Sequence, residues 1–296
     1  MGLVIGAGLL QACGAVKIAY NQSPELAYWY LDSYLDFNGA QSAQVKNELT
    51  KLQAWHRQTQ LPAYVEALQK LKAQMPGDFG AAQACEIVTD VRGKLLAVSD
   101  RAEPAVLAIS ANLNADQFQH MERRFAKNNA EYRRDFVEAT ARDSRRKRYK
   151  MALGRAEMLY GRLDETQRDI IGQTLDQSRF DAGLSYAERI RRQRDALAAL
   201  RAVAAASQAT GAAAPPADAA ARAALRALFD RSLGGSEKNP GGHRSAAEPG
   251  YLEILLQDSC KGFAALHNST STAQRGEAVK TISSYEQDLK ALIAQQ

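Results

Sequence analysis

Four histidines, three cysteines and a helical stripe of acids are the residues of this 296-residue chain best suited to chemistry. His56 stands between Trp55 and Arg57. A histidine acts as a base when it reaches a nucleophile, or a proton to abstract, and is itself oriented by a third group. No serine or cysteine stands with His56 in such an arrangement, and a histidine beside a tryptophan is most often a packed, anchored ring. Trp55, His56 and Arg57 are therefore read as a structural group or the wall of a small binding pocket. Asp32 and Asp36 lie one helical turn apart, with Glu25 seven residues before Asp32. Two carboxylates at that spacing could bind a cation or divide acid–base work, but a metal site needs more ligands. No His-x-x-x-His or Glu-x-x-His pattern supplies them. The expectation is an acidic stripe paired with arginines of a distant helix, the Arg123–Arg134 segment first. No catalytic residue, metal or cofactor is assigned, and the chain is not read as an enzyme.

The cysteines speak to location. Residues 2–12 carry no charge and end in Leu10-Gln11-Ala12-Cys13. An apolar run of that length suits a signal peptide and is too short to span a bilayer as a helix. The ending resembles the lipobox of bacterial lipoproteins, which implies that residues 1–12 are removed and Cys13 receives lipid. Gln11 is an unusual residue at its position, and no basic residue precedes the apolar run. The other reading is a buried N-terminal segment with a core cysteine. With Cys13 lipidated, Cys85 and Cys260 remain, either as a disulfide in an oxidising compartment or as two separate buried thiols. Gly14, rather than an aspartate, follows Cys13; by analogy with the sorting of bacterial lipoproteins this favours an outer-membrane address facing the periplasm.

Helical signals position these residues. Ser23-Pro24-Glu25 starts a helix with a cap, a proline in the first turn and an acid near the N-terminal dipole. It is predicted to end at Asn38-Gly39, with Ser42 opening the next. Pro62 predicts a kink, and Met75-Pro76-Gly77-Asp78 a turn. Asp100, Glu103 and Pro104 read as a break and a new start. Phe118, Met121, Phe125, Tyr132 and Phe136 recur at helical spacing, predicting one long helix toward Tyr160. A second runs from about Ile171 to Ala206, and the two form an antiparallel hairpin turning near Gly161. The fold class is all-α, a multi-helix bundle. Its parts are a tether at 13–22, a main domain at 23–206, linker segments with a short helix at 207–250, and a docked C-terminal hairpin at 251–296. A net charge of +5 is mild. The basic run Arg142, Arg145, Arg146, Lys147, Arg148 and Lys150 is read as a solvated helix face near anionic headgroups, and no nucleic-acid partner is assigned.

Leu113-Asn114-Ala115-Asp116-Gln117 and Leu163-Asp164-Glu165-Thr166-Gln167 share one pattern, and Thr270-Ser271-Thr272-Ala273-Gln274 follows it loosely. Each is a capping box, in which the glutamine reaches back to the amide of the cap residue. The pattern also resembles the Leu-Thr-x-x-Gln repeats of the small periplasmic Spy/CpxP-type chaperones and stress regulators.

A wider set of segments runs along nearly the whole chain. It comprises Ala19-Tyr20-Asn21-Gln22, the aromatic run from Tyr28 to Asn38, Trp55-His56-Arg57 with Gln60-Leu61-Pro62, Pro76-Gly77-Asp78, Leu266-His267-Asn268 and Tyr285 to Leu289. Together with Cys13 they resemble an uncharacterised family of proteobacterial lipoproteins known only as a domain of unknown function. The resemblance implies a membrane-anchored helical protein and no activity. Two roles follow: a structural or interaction lipoprotein bound to lipid through Cys13 and to an unidentified envelope protein, or a periplasmic client-binding chaperone. An enzyme stands third.

Overall fold

The computed structural model describes residues 15–210, 219–232 and 250–295. Cys13 and the leader lie outside the described residues. Every regular element among those described is helical. The chain opens with α1 (Ala15–Asn21), α2 (Ser23–Leu35) and α3 (Gly39–Trp55), followed by a π-helical turn (His56–Gln60) and α4 (Leu61–Gln74). Then come α5 (Ala81–Ser110), α6 (Ala115–Tyr132), a second π-helical turn (Arg133–Val137) and α7 (Ala141–Tyr160). The remainder is α8 (Glu165–Gln177), α9 (Ala182–Thr210), α10 (Ala219–Ser232), α11 (Tyr251–Asn268) and α12 (Thr272–Ile293).

Four local expectations are corrected. Asn38-Gly39 does not stop a helix: α2 already ends at Asp36, which takes the left-handed conformation with φ 48°, and Asn38 caps α3. An aspartate tolerates that conformation better than most residues. Pro104 does not break α5, which passes straight through it. Proline deprives the Asp100 carbonyl of its helical donor, and Asp100 is exposed enough for water to replace it. The expected single helix from Phe118 to Tyr160 is interrupted after the second π-helical turn, where the Thr140 hydroxyl accepts from the Asp143 amide and starts α7. Its expected partner is interrupted as well, because Asp181 caps a new helix by accepting from the Leu184 amide at 2.7 Å. The bundle therefore has no hairpin with two continuous long arms.

Three apolar clusters hold the helices. One gathers Met75, Phe79, Tyr160, Leu163, Ile171, Leu266 and Ile282, uniting α4, α7, α8, α11 and α12. A second packs Leu35, Leu113, Phe118, Met121 and Ala204 with Tyr34, Phe37 and Phe125 around them. The third joins α5, α9 and α10 through Leu107, Val203 and Leu225. The Cα atoms of Cys85 and Cys260 are 5.4 Å apart with their sulfurs bonded, which fastens α11 to α5 across 175 residues of chain.

The capping boxes do more than close their own helices. Asn114–Gln117, Asp164–Gln167 and Ser271–Gln274 all form, and a fourth forms at Asn38–Gln41. They meet in pairs. Gln41 and Gln117 exchange side-chain amide bonds at 3.2 and 2.8 Å; Gln41 also donates to the Asn112 carbonyl and Gln117 to that of Leu35. Gln167 and Gln274 repeat the arrangement at 2.7 and 2.8 Å, donating to the carbonyls of Ser269 and Arg162. In each pair the side-chain oxygens also accept from the cap amides, so both amide groups are satisfied on every side.

Candidate functional site

The first π-helical turn places the Trp55-His56-Arg57 segment. A π turn adds one residue to the helical ladder, and such insertions recur at functional sites. Here the Leu61 amide bonds to the His56 carbonyl, and Pro62 enters α4 within its first turn. The insertion aims His56 at α1: Tyr20 Oη lies 3.0 Å from His56 Nδ1, and Tyr64 packs on the other side with ring centroids 5.2 Å apart. Arg57 reaches the same segment, donating to Asn21 Oδ1 at 2.7 Å and to the Gln295 carbonyl at 3.3 Å, with its guanidinium over the Tyr20 ring. Gln53 closes the ring of contacts by donating to the Tyr20 carbonyl and to Ser23 Oγ. Two segments singled out separately in the sequence, Tyr20-Asn21 and Trp55-His56-Arg57, thus form one group at the end of α12.

Burial lowers the pKa of His56 and so favours the neutral ring. It raises that of the Tyr20 phenol, against the pull of the Arg57 charge. His56 therefore meets a protonated phenol, and among the described residues no carboxylate orients it. That geometry holds the junction of α1, α3 and α12 in register. It lacks the third group that a catalytic histidine uses.

A second histidine does similar work deeper in the fold. His267 is fully buried, with Nδ1 2.9 Å from Tyr160 Oη and Nε2 2.7 Å from the Gly77 carbonyl. Burial lowers its pKa as well. Asn268 brackets Phe79, accepting from its amide and donating to its carbonyl. The Pro76-Gly77-Asp78 and Leu266-His267-Asn268 segments are thereby one contact. Nearby, Glu286 is buried on α12 and takes donors from Lys290, Lys72 and Gln69, which hold its pKa down at about 2.

Asp32 and Asp36 do not meet the expectation set for them. Neither forms an ion pair with a described residue. Asp32 Oδ1 accepts the Phe37 amide at 2.9 Å, and the Asp36 amide donates to the Asp32 carbonyl. The physical reason is position: α2 ends here, so the Phe37 amide just past it is free to satisfy Asp32, and Asp36 is exposed to water; neither carboxylate requires a cation. The Arg123–Arg134 segment meets α2 differently, with Arg124 over the Tyr34 ring. Most of the basic run on α7 is engaged within the protein. Arg145 grips Asp176, Arg146 pairs with Asp143, Lys147 with Asp135, and Arg148 lies 4.0 Å over Phe180.

A trough of about 830 Å³ runs along α5 beside Gln60 and Ala63, floored by small residues including Ala82, Gly93 and Ala97. It adjoins a recess of about 320 Å³ between α4 and α5, where Leu68, Leu71, Ile87 and Leu289 form the floor and Lys70, Glu86, Asp90 and Lys94 the rim. Among the described residues no three or more His, Cys, Asp or Glu side chains are grouped to hold a metal ion. No described helix is long and apolar enough to cross a membrane.

Residues 33–210, more than half of the chain, match the model of a family of unknown function, DUF6279, and the protein belongs to that family. No curated protein and no solved structure matches the chain. The family region contains His56, Cys85, Tyr160, Gln117 and Gln167 but ends before Cys260, His267 and Gln274. The segment beyond it supplies the partners of Cys85, Tyr160 and Gln167.

Proposed function

We propose that this protein is a lipid-anchored envelope lipoprotein, held through Cys13 at the outer membrane, with a periplasm-facing helical body in a structural or protein-interaction role. The cysteine inventory carries this reading. Of three cysteines, Cys85 and Cys260 are bonded to each other, a state that persists in oxidising compartments. The third, Cys13, ends an uncharged apolar run in a lipobox-like sequence. Fractionating cells that express Cys13→Ser tests it. The variant should leave the membrane fraction without detergent, and undiminished membrane retention would contradict the reading.

The trough along α5 favours a second reading, binding of unfolded clients. The adjoining recess between α4 and α5 has the apolar floor and charged rim that would accept an extended or helical apolar segment. Val91 lines the recess and is exposed. If client binding is the role, the wild-type chain suppresses aggregation of an unfolded protein and Val91→Arg weakens that suppression.

A further inference from the structure

The helix nearest Cys13 is apolar on its exposed side. The Gln22 amide bonds to the Ile18 carbonyl and the Leu26 amide to that of Gln22, each at 3.0 Å, so the helical ladder runs from α1 into α2. Residues 15–35 therefore form a nearly continuous rod about 30 Å long. Its exposed positions include Ile18, Gln22, Leu26, Trp29 and Tyr30, at the three- and four-residue spacing of a single stripe. Ile18 is 60% exposed, Leu26 47%, Trp29 59% and Tyr30 65%, and no residue of the stripe is charged. Of the rod's charged residues, Glu25 stands four before Trp29 and borders the stripe, where Lys46 pairs with it; Lys17 pairs with Asp288, and Asp32 accepts the Phe37 amide. The opposite face buries Leu35 against α6 and packs Tyr28 and Leu31 on α3. A soluble bundle helix turns its polar face to water; this rod has apolar residues on both faces.

Three observations select what covers the stripe. Cys13 is two residues before Ala15, and two peptide units span at most about 7 Å, so a lipid on Cys13 would hold the start of the rod at headgroup depth. The stripe is made of aliphatic residues followed by tryptophan and tyrosine, the side chains enriched where hydrocarbon meets water. At the Tyr30 end, Arg124 lies over the Tyr34 ring and Arg189 over that of Tyr132 while donating to Asn129 Oδ1; both are partly exposed, and neither is paired with an acid among the described residues. They offer positive charge to lipid phosphates.

We propose that the Ile18–Leu26–Trp29–Tyr30 stripe lies on the membrane surface, so that the body rests against the bilayer instead of hanging from a loose tether. This rests on lipidation of Cys13, and the test separates the two claims. The chain has two tryptophans. The full lipidated chain carrying Trp55→Phe is reconstituted into phosphatidylcholine–phosphatidylglycerol vesicles with and without brominated acyl chains. Trp29 emission should shift to the blue on reconstitution and be lost to bromine quenching. In the reciprocal chain, Trp29→Phe with Trp55 retained, emission should be unaffected. Leu26→Glu in the otherwise wild-type chain should reduce the quenching, which covers the case in which Trp55→Phe misfolds. Protein that pellets with the vesicles while Trp29 stays unquenched overturns the surface contact and leaves the anchor standing. Protein absent from the pellet overturns both. A blue shift that grows with protein concentration in detergent alone, without vesicles, assigns the stripe to a second copy of the chain and also overturns the proposal.

Discussion

The Gln41–Gln117 pair and the Gln167–Gln274 pair are built from the same local chemistry, yet they hold different things. In the first, both glutamines are buried, and Gln117 also reaches the Leu35 and Asp36 carbonyls that α2 leaves free at its end. It joins the end of α2 to the starts of α3 and α6. In the second, Gln167 is buried and Gln274 is partly exposed. That pair joins α8, inside the family region, to α12, outside it. One motif thus seals the N-terminal half from within and docks the C-terminal hairpin from without. A capping box fixes only the start of its own helix; its value to the fold depends on what meets it and on how much water remains.

The Cys85–Cys260 bond is the strongest lever on this contrast. A link across so long a loop contributes about 2–4 kcal/mol, chiefly by restricting the unfolded chain. Replacing both cysteines by serine should lower stability in urea by that amount. Because the bond ties α11 to α5, amide exchange should quicken at Gln274 well before it does at Gln117. Equal acceleration at both sites would mean that the two halves unfold as one unit.

The two pairs themselves give the next largest effect. Gln117→Ala leaves the Leu35 carbonyl without its side-chain donor and removes one of the two bonds at each end of the Gln41 amide, at about 1–3 kcal/mol for each group that water cannot reach. Gln274→Ala should fall at the lower end of that range, since its site is open enough to rehydrate. Melts of the two variants check the order, and a Gln41/Gln117 double-mutant cycle should return a coupling of about 0.5–3 kcal/mol. A larger loss from Gln274→Ala would reverse the assignment of the buried site.

Acid should act through His56 and His267 alike, and further on the C-terminal half through Glu286. The folded pKa of His267 is below its ordinary 6.5, so the unfolded chain binds more protons and stability falls as pH drops below that value. Glu286 adds a second loss between its ordinary 4.5 and about 2, because its folded form resists protonation while the unfolded form accepts it. Melting temperature against pH should therefore decline below neutrality and again below about 4.5. Glu286→Gln should shrink the second decline and leave the first; the remainder comes from Asp135, Asp176 and Asp258, whose cationic partners also lower their pKa.

Much of the local structure is legible in the sequence, because caps and turns are local. Gln117, Gln167 and Gln274 follow from the spacing to Asn114, Asp164 and Ser271. Gln41 escapes because Phe37 stands where the pattern has leucine and Asn38-Gly39 reads as a helix stop, although the Asn-x-x-Gln spacing is there. The pairing of the boxes is a long-range fact that no local pattern carries. Asp32 and Asp36 fail for a related reason. Their spacing shows a shared stripe, but only the point where α2 stops reveals that backbone amides, not arginines, satisfy Asp32. Around His56, the tryptophan and arginine neighbours are plain in the sequence, whereas Tyr20, Gln53 and Tyr64 are brought to it by the π turn and the return of α1.

The claim that gathers these features is that the body stands in the envelope on a lipidated Cys13. Its most direct test is the intact mass of the protein purified from membranes in mild detergent. The account predicts a chain that begins at Cys13 and carries the mass of a diacylglyceryl group and an amide-linked acyl chain, with the Cys85–Cys260 bond in place. A chain that retains residues 1–12 with an unmodified Cys13 thiol would contradict it.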